Sequence, residues 1–283
     1  RSMKAYRFGI ITSHMSEGFL AEKEQVTVET PWGAATVYCG KLEGIPCAVL
    51  LRYGDKSTVA SHRISFRANL WALKTLGVEH LITQNAIGSV NPDIRPGDFV
   101  IPDDFIDFTK HRELSFFEEE ECWVRVDMTD PFCPALRQKL ISAAKEIGVN
   151  PRERGVFICT EGPRFETPAE VRFYRSIGGD IIGTPMVPEA VLAREAGICY
   201  ASVSIVINMA TGMAPAVVHS GDEGIINYYA RTGLEEKVEQ IFRLVAKSLD
   251  TPRPCHCAQA LEEGIHGTPP AWANGVLLHE AEK

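Results

Sequence analysis

Two stretches of this chain carry side chains suited to holding a flat heterocycle. The segment Glu161-Gly162-Pro163-Arg164-Phe165-Glu166-Thr167 offers an aromatic ring beside a carboxylate, and Ile205-Val206-Ile207-Asn208, farther along, ends in an amide. A ring face, an acceptor carboxylate and an amide that both donates and accepts are complementary to a purine. Each residue also has a plainer reading. Glu166 stands close to a helix start, where the dipole favours a carboxylate, and Asn208 could be a turn residue at a strand end.

The elements that must bring these residues together can be read from periodicity. Apolar runs at Phe8–Ile11, Thr36–Cys39, Pro46–Leu51, His80–Thr83, Asp98–Ile101, Gly155–Cys159, Asp180–Ile182 and Cys199–Val203 read as short strands. Helical patterns cover Ser61–Leu76, Pro134–Ile147, Thr167–Ile177, Pro188–Ala196 and Asp222–Lys247. Thr167-Pro168-Ala169-Glu170 has a cap residue, proline at the first helical position and glutamate in the first turn.

Alternating strands and helices predict a single α/β domain over residues 3–250, with a mixed, mostly parallel central sheet flanked by helices. Beyond Thr251 the chain turns Pro- and Gly-rich, and residues 251–283 read as a C-terminal tail. Ligands of such sheets sit beyond the carboxyl ends of the strands. Asn85–Ser89, Glu161–Glu166, Gly183–Met186 and Asn208 each follow a predicted strand, so four strand ends are expected around one cleft.

Composition narrows the function classes. Of 283 residues, 45% are apolar and 23% charged, which predicts a sizeable core rather than disorder. A net charge of −8 argues against a general nucleic-acid surface, although a local anion pocket remains compatible with it. No run approaches the ~18 apolar residues of a membrane span and no signal peptide opens the chain, so a soluble, cytoplasmic protein is expected. Arg1-Ser2 ahead of Met3 reads as an expression remnant.

The eight cysteines are scattered. Cys39, Cys47, Cys159 and Cys199 lie in apolar runs, where a thiol acts as a small hydrophobe. Cys255-His256-Cys257 is a poor chelate for tetrahedral zinc with no second pair nearby in sequence. It reads either as a strained redox pair or as inert surface thiols. Neither metal-ligand spacing nor a dinucleotide motif appears, so no metal or organic cofactor is expected.

Several ordered motifs carry a family resemblance. Glu161–Glu170, Val187-Pro188-Glu189-Ala190-Val191-Leu192-Ala193-Arg194-Glu195-Ala196-Gly197, Phe66-Arg67-Ala68-Asn69-Leu70-Trp71-Ala72-Leu73 and Pro96-Gly97-Asp98 are similar to the trimeric purine nucleoside phosphorylases, above all the methylthioadenosine and methylthioinosine phosphorylases. The similarity runs from Phe8 to about Lys247, and the Cys-x-Cys resembles that of prokaryotic members. It implies the nucleoside phosphorylase fold, a purine nucleoside substrate, phosphate as co-substrate and a homotrimer.

The resemblance also implies roles. Glu166 matches the carboxylate that accepts from N1–H of a 6-oxopurine, Asn208 the amide at O6 and N7, and Phe165 the ring lining the base. Relatives that prefer 6-aminopurines place aspartate where Asn208 stands, so a hypoxanthine- or guanine-like base is expected. Asn85, Ala86, Thr184 and Met186 match positions lining the sugar. The 5′ substituent would meet the loop Ala214–Ser220, where Val217 and Val218 suit a methylthio group and His219 a more polar one.

The acceptor side departs from the pattern. Where the family has a glycine-rich loop whose N–H groups cradle phosphate, this chain has Thr12-Ser13-His14-Met15. Arg52 matches an anion contact, but the histidine after it is Tyr53, and Pro185 replaces a hydroxyl. Ser13, His14 and Arg52 remain the candidate anion ligands, with Lys56 read as solvated. Three activities stay open: phosphorolysis, transfer to water or another acceptor, and silent purine binding.

Overall fold

In the computed structural model, which describes residues 5–118, 121–214, 228–229 and 231–278, strand β1 (Phe8–Thr12) is buried at every position. A central strand covered on both faces must be so. It pairs in parallel with β4 (Ile45–Leu51) on one side and β5 (His80–Ser89) on the other. On its far edge β5 runs parallel to β11 (Cys199–Met209) over its length.

Strands β2 (Ala21–Thr30) and β3 (Gly33–Leu42) extend the sheet past β4 as an antiparallel meander. On the opposite side β10 (Ile181–Gly183), β9 (Val156–Cys159) and β7 (Asp104–Asp107) run parallel to one another, and the short β6 (Phe99–Val100) pairs with β11. The order β2-β3-β4-β1-β5-β10-β9-β7, with β11 and β6 branching from β5, makes a ten-stranded mixed sheet with a largely parallel centre. Helices α1 (Phe66–Thr75), α2 (Pro134–Glu146), α3 (Pro168–Ser176) and α4 (Met186–Glu195) and the helix Leu234–Lys247 flank it, the α/β arrangement the alternation predicts.

Differences from the expected elements have physical causes. The expected helix Ser61–Leu76 is divided into a single 3-10 turn, Ser61–Arg63, and α1 capped at Ser65. Val187 is extended (φ −119°, ψ 127°), so the regular part of α4 begins at Pro188. Strand β2 escapes a hydropathy reading because it is an exposed edge rich in charge, a common guard against edge pairing. Of the helix expected over 222–247, residues 228–229, 231 and 234–247 are helical with a turn at 232–233, while 215–227 and 230 lie outside the described residues.

Strands β5 and β11 run well past their apolar cores. Asn85 Nδ2 donates to Ser202 Oγ (2.9 Å) and Ser204 Oγ donates to Asn85 Oδ1 (2.6 Å), so buried polar groups satisfy one another across the pair. Asn85–Ser89, expected to follow the strand, is part of it.

Of the C-terminal tail, residues 252–278 wrap onto the body of the fold. Leu261, Ala273 and Leu277 are buried, β12 (Ile265–Gly267) pairs with β8 (Cys122–Val124), and Trp272 packs edge-on against Trp32 and Trp71. Aromatic contact with the main core anchors a stretch whose Pro and Gly content hid its order. Among the described residues, no helix is long and apolar enough to cross a membrane.

Candidate active site

Strand β5 forks at Gly88. Ile182 of β10 pairs with Gly88 from one edge and Asn208 of β11 from the other, and the β11 register slips between Val206 and Asn208. Such an irregularity re-aims a side chain at a strand end. A Cβ on residue 88 would stand 3.1 Å from Asn208 Oδ1 and 3.2 Å from Ile182 Cγ2, so glycine here is what lets the amide lie flat against β5. The fork opens into a cavity of about 180 Å³ whose lining includes Tyr53, Ala86, Gly88, Phe165, Glu166, Thr184 and Asn208.

Glu166 and Glu170 divide the carboxylate roles at the start of α3. Glu170 belongs to the helix: Thr167 and Glu170 form a reciprocal capping box, and Arg164 grips the Glu170 carboxylate with two N–H groups (2.8 and 3.1 Å). The Arg164 and Thr167 hydrogen bonds hold the Glu170 pKa down to about 2. Glu166 has no part in that cap. Thr160 Oγ1 donates to Glu166 Oε2 at 2.9 Å, and burial pushes the Glu166 pKa above the ordinary carboxylate value, with the Thr160 hydroxyl pulling against it. The helix-dipole role belongs to Glu170, and Glu166 is left to face the cavity. Phe165 lines the same space and keeps 41% of its surface open, available to a stacking ring.

Two residues outside the sequence motifs hold this geometry. Arg112 donates to the carbonyls of Thr184, Val187 (2.7 Å) and Glu161 (3.0 Å), fastening the β9 and β10 ends together. Glu161 in turn accepts from the backbone N–H groups of Lys110 (3.1 Å) and His111 (2.7 Å). Thr160 sat one residue from a recognised motif and was findable. Arg112 lies in an irregular loop with no periodic or spacing signal.

Several expected ligands lie elsewhere. Arg52 is only 2% exposed and its guanidinium is spent on Glu189 and the Gln84 carbonyl, so it does not line the cavity. His14 pairs with Glu235, while Ser13 Oγ is directed at Gln84 Oε1 (3.3 Å); neither reaches the cavity. Ser16 beside them is bound through backbone and hydroxyl to Glu239. The loop thus rests on two glutamates, a poor setting for an anion.

Of the sugar candidates, Ala86 and Thr184 line the cavity. Asn85 does not, because its amide is consumed between the strands, and Met186 is fully buried with Tyr200 Oη 3.5 Å from its sulfur. Val217, Val218 and His219 lie outside the described residues.

A second cluster of reactive side chains lies at the opposite end of β11. Cys255 and Cys257 are brought to Cys133 and Cys199, with all four sulfurs within 4.8 Å of one another. They are not surface thiols: Cys133, Cys199 and Cys257 are buried and Cys255 half-buried. The partner pair was hidden because it is remote in sequence.

The family model of the phosphorylase superfamily matches residues 8–237. A probable 6-oxopurine nucleoside phosphorylase of Moorella thermoacetica is 42% identical over 244 residues, spanning 86% of this chain and 92% of its own. An S-methyl-5′-thioadenosine phosphorylase of Pyrococcus abyssi is 40% identical over 258 residues, covering 90% and 98%. Among solved structures, a methylthioadenosine phosphorylase from an antarctic soil metagenomic library superposes with a TM-score of 0.84 at 31% identity, over 95% of each chain.

Proposed function

The chain belongs to the phosphorylase superfamily, and from that premise we propose that it cleaves the N-glycosidic bond of a purine nucleoside by phosphorolysis, with a 6-oxopurine or 5′-methylthio nucleoside as substrate. The observation that carries this reading is the meeting of Phe165, Glu166 and Asn208 on one cavity at the fork of β5. Phe165 offers a face to the base, the Glu166 carboxylate accepts from N1–H, and Asn208 Nδ2 donates towards N7 and O6. As the bond to the sugar breaks, negative charge grows on the departing base, and a donor already placed at N7 stabilises it. Loss of one such donor typically costs about 3 kcal/mol of the barrier.

The reading includes phosphate as co-substrate and a homotrimer, both implied by resemblance to the trimeric class, together with the sequence-based expectations of no metal or organic cofactor in the chemical step and a cytoplasmic location. Ala86 and Thr184 would line the sugar. A second acceptor, water, is favoured by one specific observation: Arg52 is neutralised by Glu189, while His14 and the adjoining Ser16 rest on Glu235 and Glu239.

One experiment separates the acceptors. Inosine and methylthioinosine are incubated with the protein, with and without phosphate, while free base and pentose 1-phosphate are followed. Phosphorolysis gives base release that depends on phosphate and equals pentose 1-phosphate formed. Equal release without phosphate moves the reaction to hydrolysis, and tight binding with no release removes the activity altogether.

A further inference from the structure

We propose that Cys133, Cys199, Cys255 and Cys257 form a tetrathiolate site for a zinc-class divalent metal, which clamps the C-terminal segment to the base of the sheet. The first support is geometric. Four thiolates around a tetrahedral zinc with Zn–S of about 2.3 Å lie roughly 3.8 Å from one another. Here all four sulfurs lie within 4.8 Å of one another, and the Cys199–Cys255 separation is 3.3 Å. The cage needs shifts of under about 1 Å to close on such an ion.

The second support is charge. A divalent ion with four thiolates carries a net charge of about −2 and must be compensated when out of water. Two guanidiniums do this: Arg194 Nη1 is 3.6 Å from Cys257 Sγ, and Arg253 Nη1 is 3.5 Å from Cys199 Sγ. Cys133 also stands at the N-cap of the thirteen-residue helix α2, whose positive end favours a thiolate. Neutral disulfides would need none of this positive charge. Cys255, His256 and Cys257 border a cavity of about 520 Å³, which gives an ion a way in.

The topology assigns the role. Cys199 begins β11 and Asn208 stands near its end, so at about 3.3 Å per residue the metal sits roughly 30 Å from the purine site. It acts on folding, not chemistry. It joins the start of α2, the start of β11 and the chain beyond Thr251, and so adds a second tether to the one that Trp272 provides.

The test uses the full chain, reduced and reconstituted with zinc, then freed of excess. The expected result is one zinc per chain, released when a mercurial titrates these four thiols. Cobalt substitution gives the intense visible bands of a tetrahedral tetrathiolate. Cys255→Ser weakens zinc retention by more than the roughly 10–100-fold that outer-shell changes cause, and Arg194→Gln falls within that range. If Cys255→Ser fails to fold, the cobalt spectrum of the unaltered protein still decides. Reduced protein that takes up no zinc overturns the proposal. So does a freshly purified chain whose intact mass shows the four sulfurs paired as two disulfides.

Discussion

The guanidinium of Arg52 and the carboxylate of Glu189 meet in a two-pronged pair, Nε to Oε2 at 2.9 Å and Nη2 to Oε1 at 2.7 Å, with both side chains out of water. Tyr200 Oη donates to the same carboxylate at 2.8 Å, and Arg52 Nη1 reaches the Gln84 carbonyl at 3.0 Å. The pair ties the end of β4 to α4 across the sheet and leaves little charge to attract an anion. Removing one partner of a buried pair costs about 3–5 kcal/mol because the other is stranded. Glu189→Gln is expected to lower unfolding stability by that order in urea titrations. Phosphate, as a ligand of the folded state, should stabilise the native and Glu189→Gln proteins by equal amounts; a larger gain for Glu189→Gln would show that Arg52 is an anion ligand.

Asn208 and Gly88 form one device, since the amide oxygen lies only 3.1 Å from where a Cβ on residue 88 would stand. Asn208→Ala should lower turnover by about 10²–10³-fold with a smaller change in KM, the behaviour of a leaving-group donor. Gly88→Ala must push the amide by a few tenths of an ångström and should depress turnover in the same direction with little loss of thermal stability. Asn208→Asp should raise the activity on 6-aminopurine nucleosides relative to 6-oxopurine ones. Steady-state kinetics on inosine and adenosine check all three, and an unchanged rate for Asn208→Ala removes the residue from the mechanism.

The parts of this molecule that were legible in sequence are those where local chemistry and global position agree. Phe8–Ile11 and the Thr167-Pro168-Ala169-Glu170 cap appear where periodicity puts them. Glu166, Phe165 and Asn208 were legible because motif order fixed their register. The extension of β5 was not, because Asn85 is a polar residue that Ser202 and Ser204 of β11 satisfy, and hydropathy cannot register a hydrogen bond formed across strands distant in sequence. Arg52 stood at the expected strand end, yet its partner Glu189 lies 137 positions away. The four-cysteine cluster failed for the same reason, with two of its members on separate elements.

Glu195 gives stability a pH dependence. It is 2% exposed, and burial raises its pKa to about 7, although Ser115 Oγ (2.9 Å) and the Phe116 N–H (3.0 Å) donate to it. The folded state then binds a proton that the unfolded state, with an ordinary carboxyl near 4.5, has lost. Stability therefore falls as pH rises from about 4.5 to about 7, by on the order of 3 kcal/mol from this group, and is flat above. Glu195→Gln keeps the acceptor and removes the titration. Its unfolding free energy, measured across that range, should lose this slope; an unaltered slope would assign the dependence to other groups.

Glu166 gives catalysis a pH dependence of its own. Accepting N1–H of a 6-oxopurine requires the carboxylate, and burial raises the pKa at which that form appears while the Thr160 hydroxyl lowers it. Acidification through this raised pKa should depress kcat/KM, chiefly by raising KM, because the free protein carries the protonated acid. Thr160→Val deletes the donor that favours the charged form, so the acid limb should move to higher pH, whereas Thr160→Ser should leave it in place. Glu166→Gln should abolish the limb while lowering kcat/KM at neutral pH, since its carbonyl accepts more weakly than a carboxylate. Superimposable acid limbs for the native and Thr160→Val proteins would mean that another group titrates there.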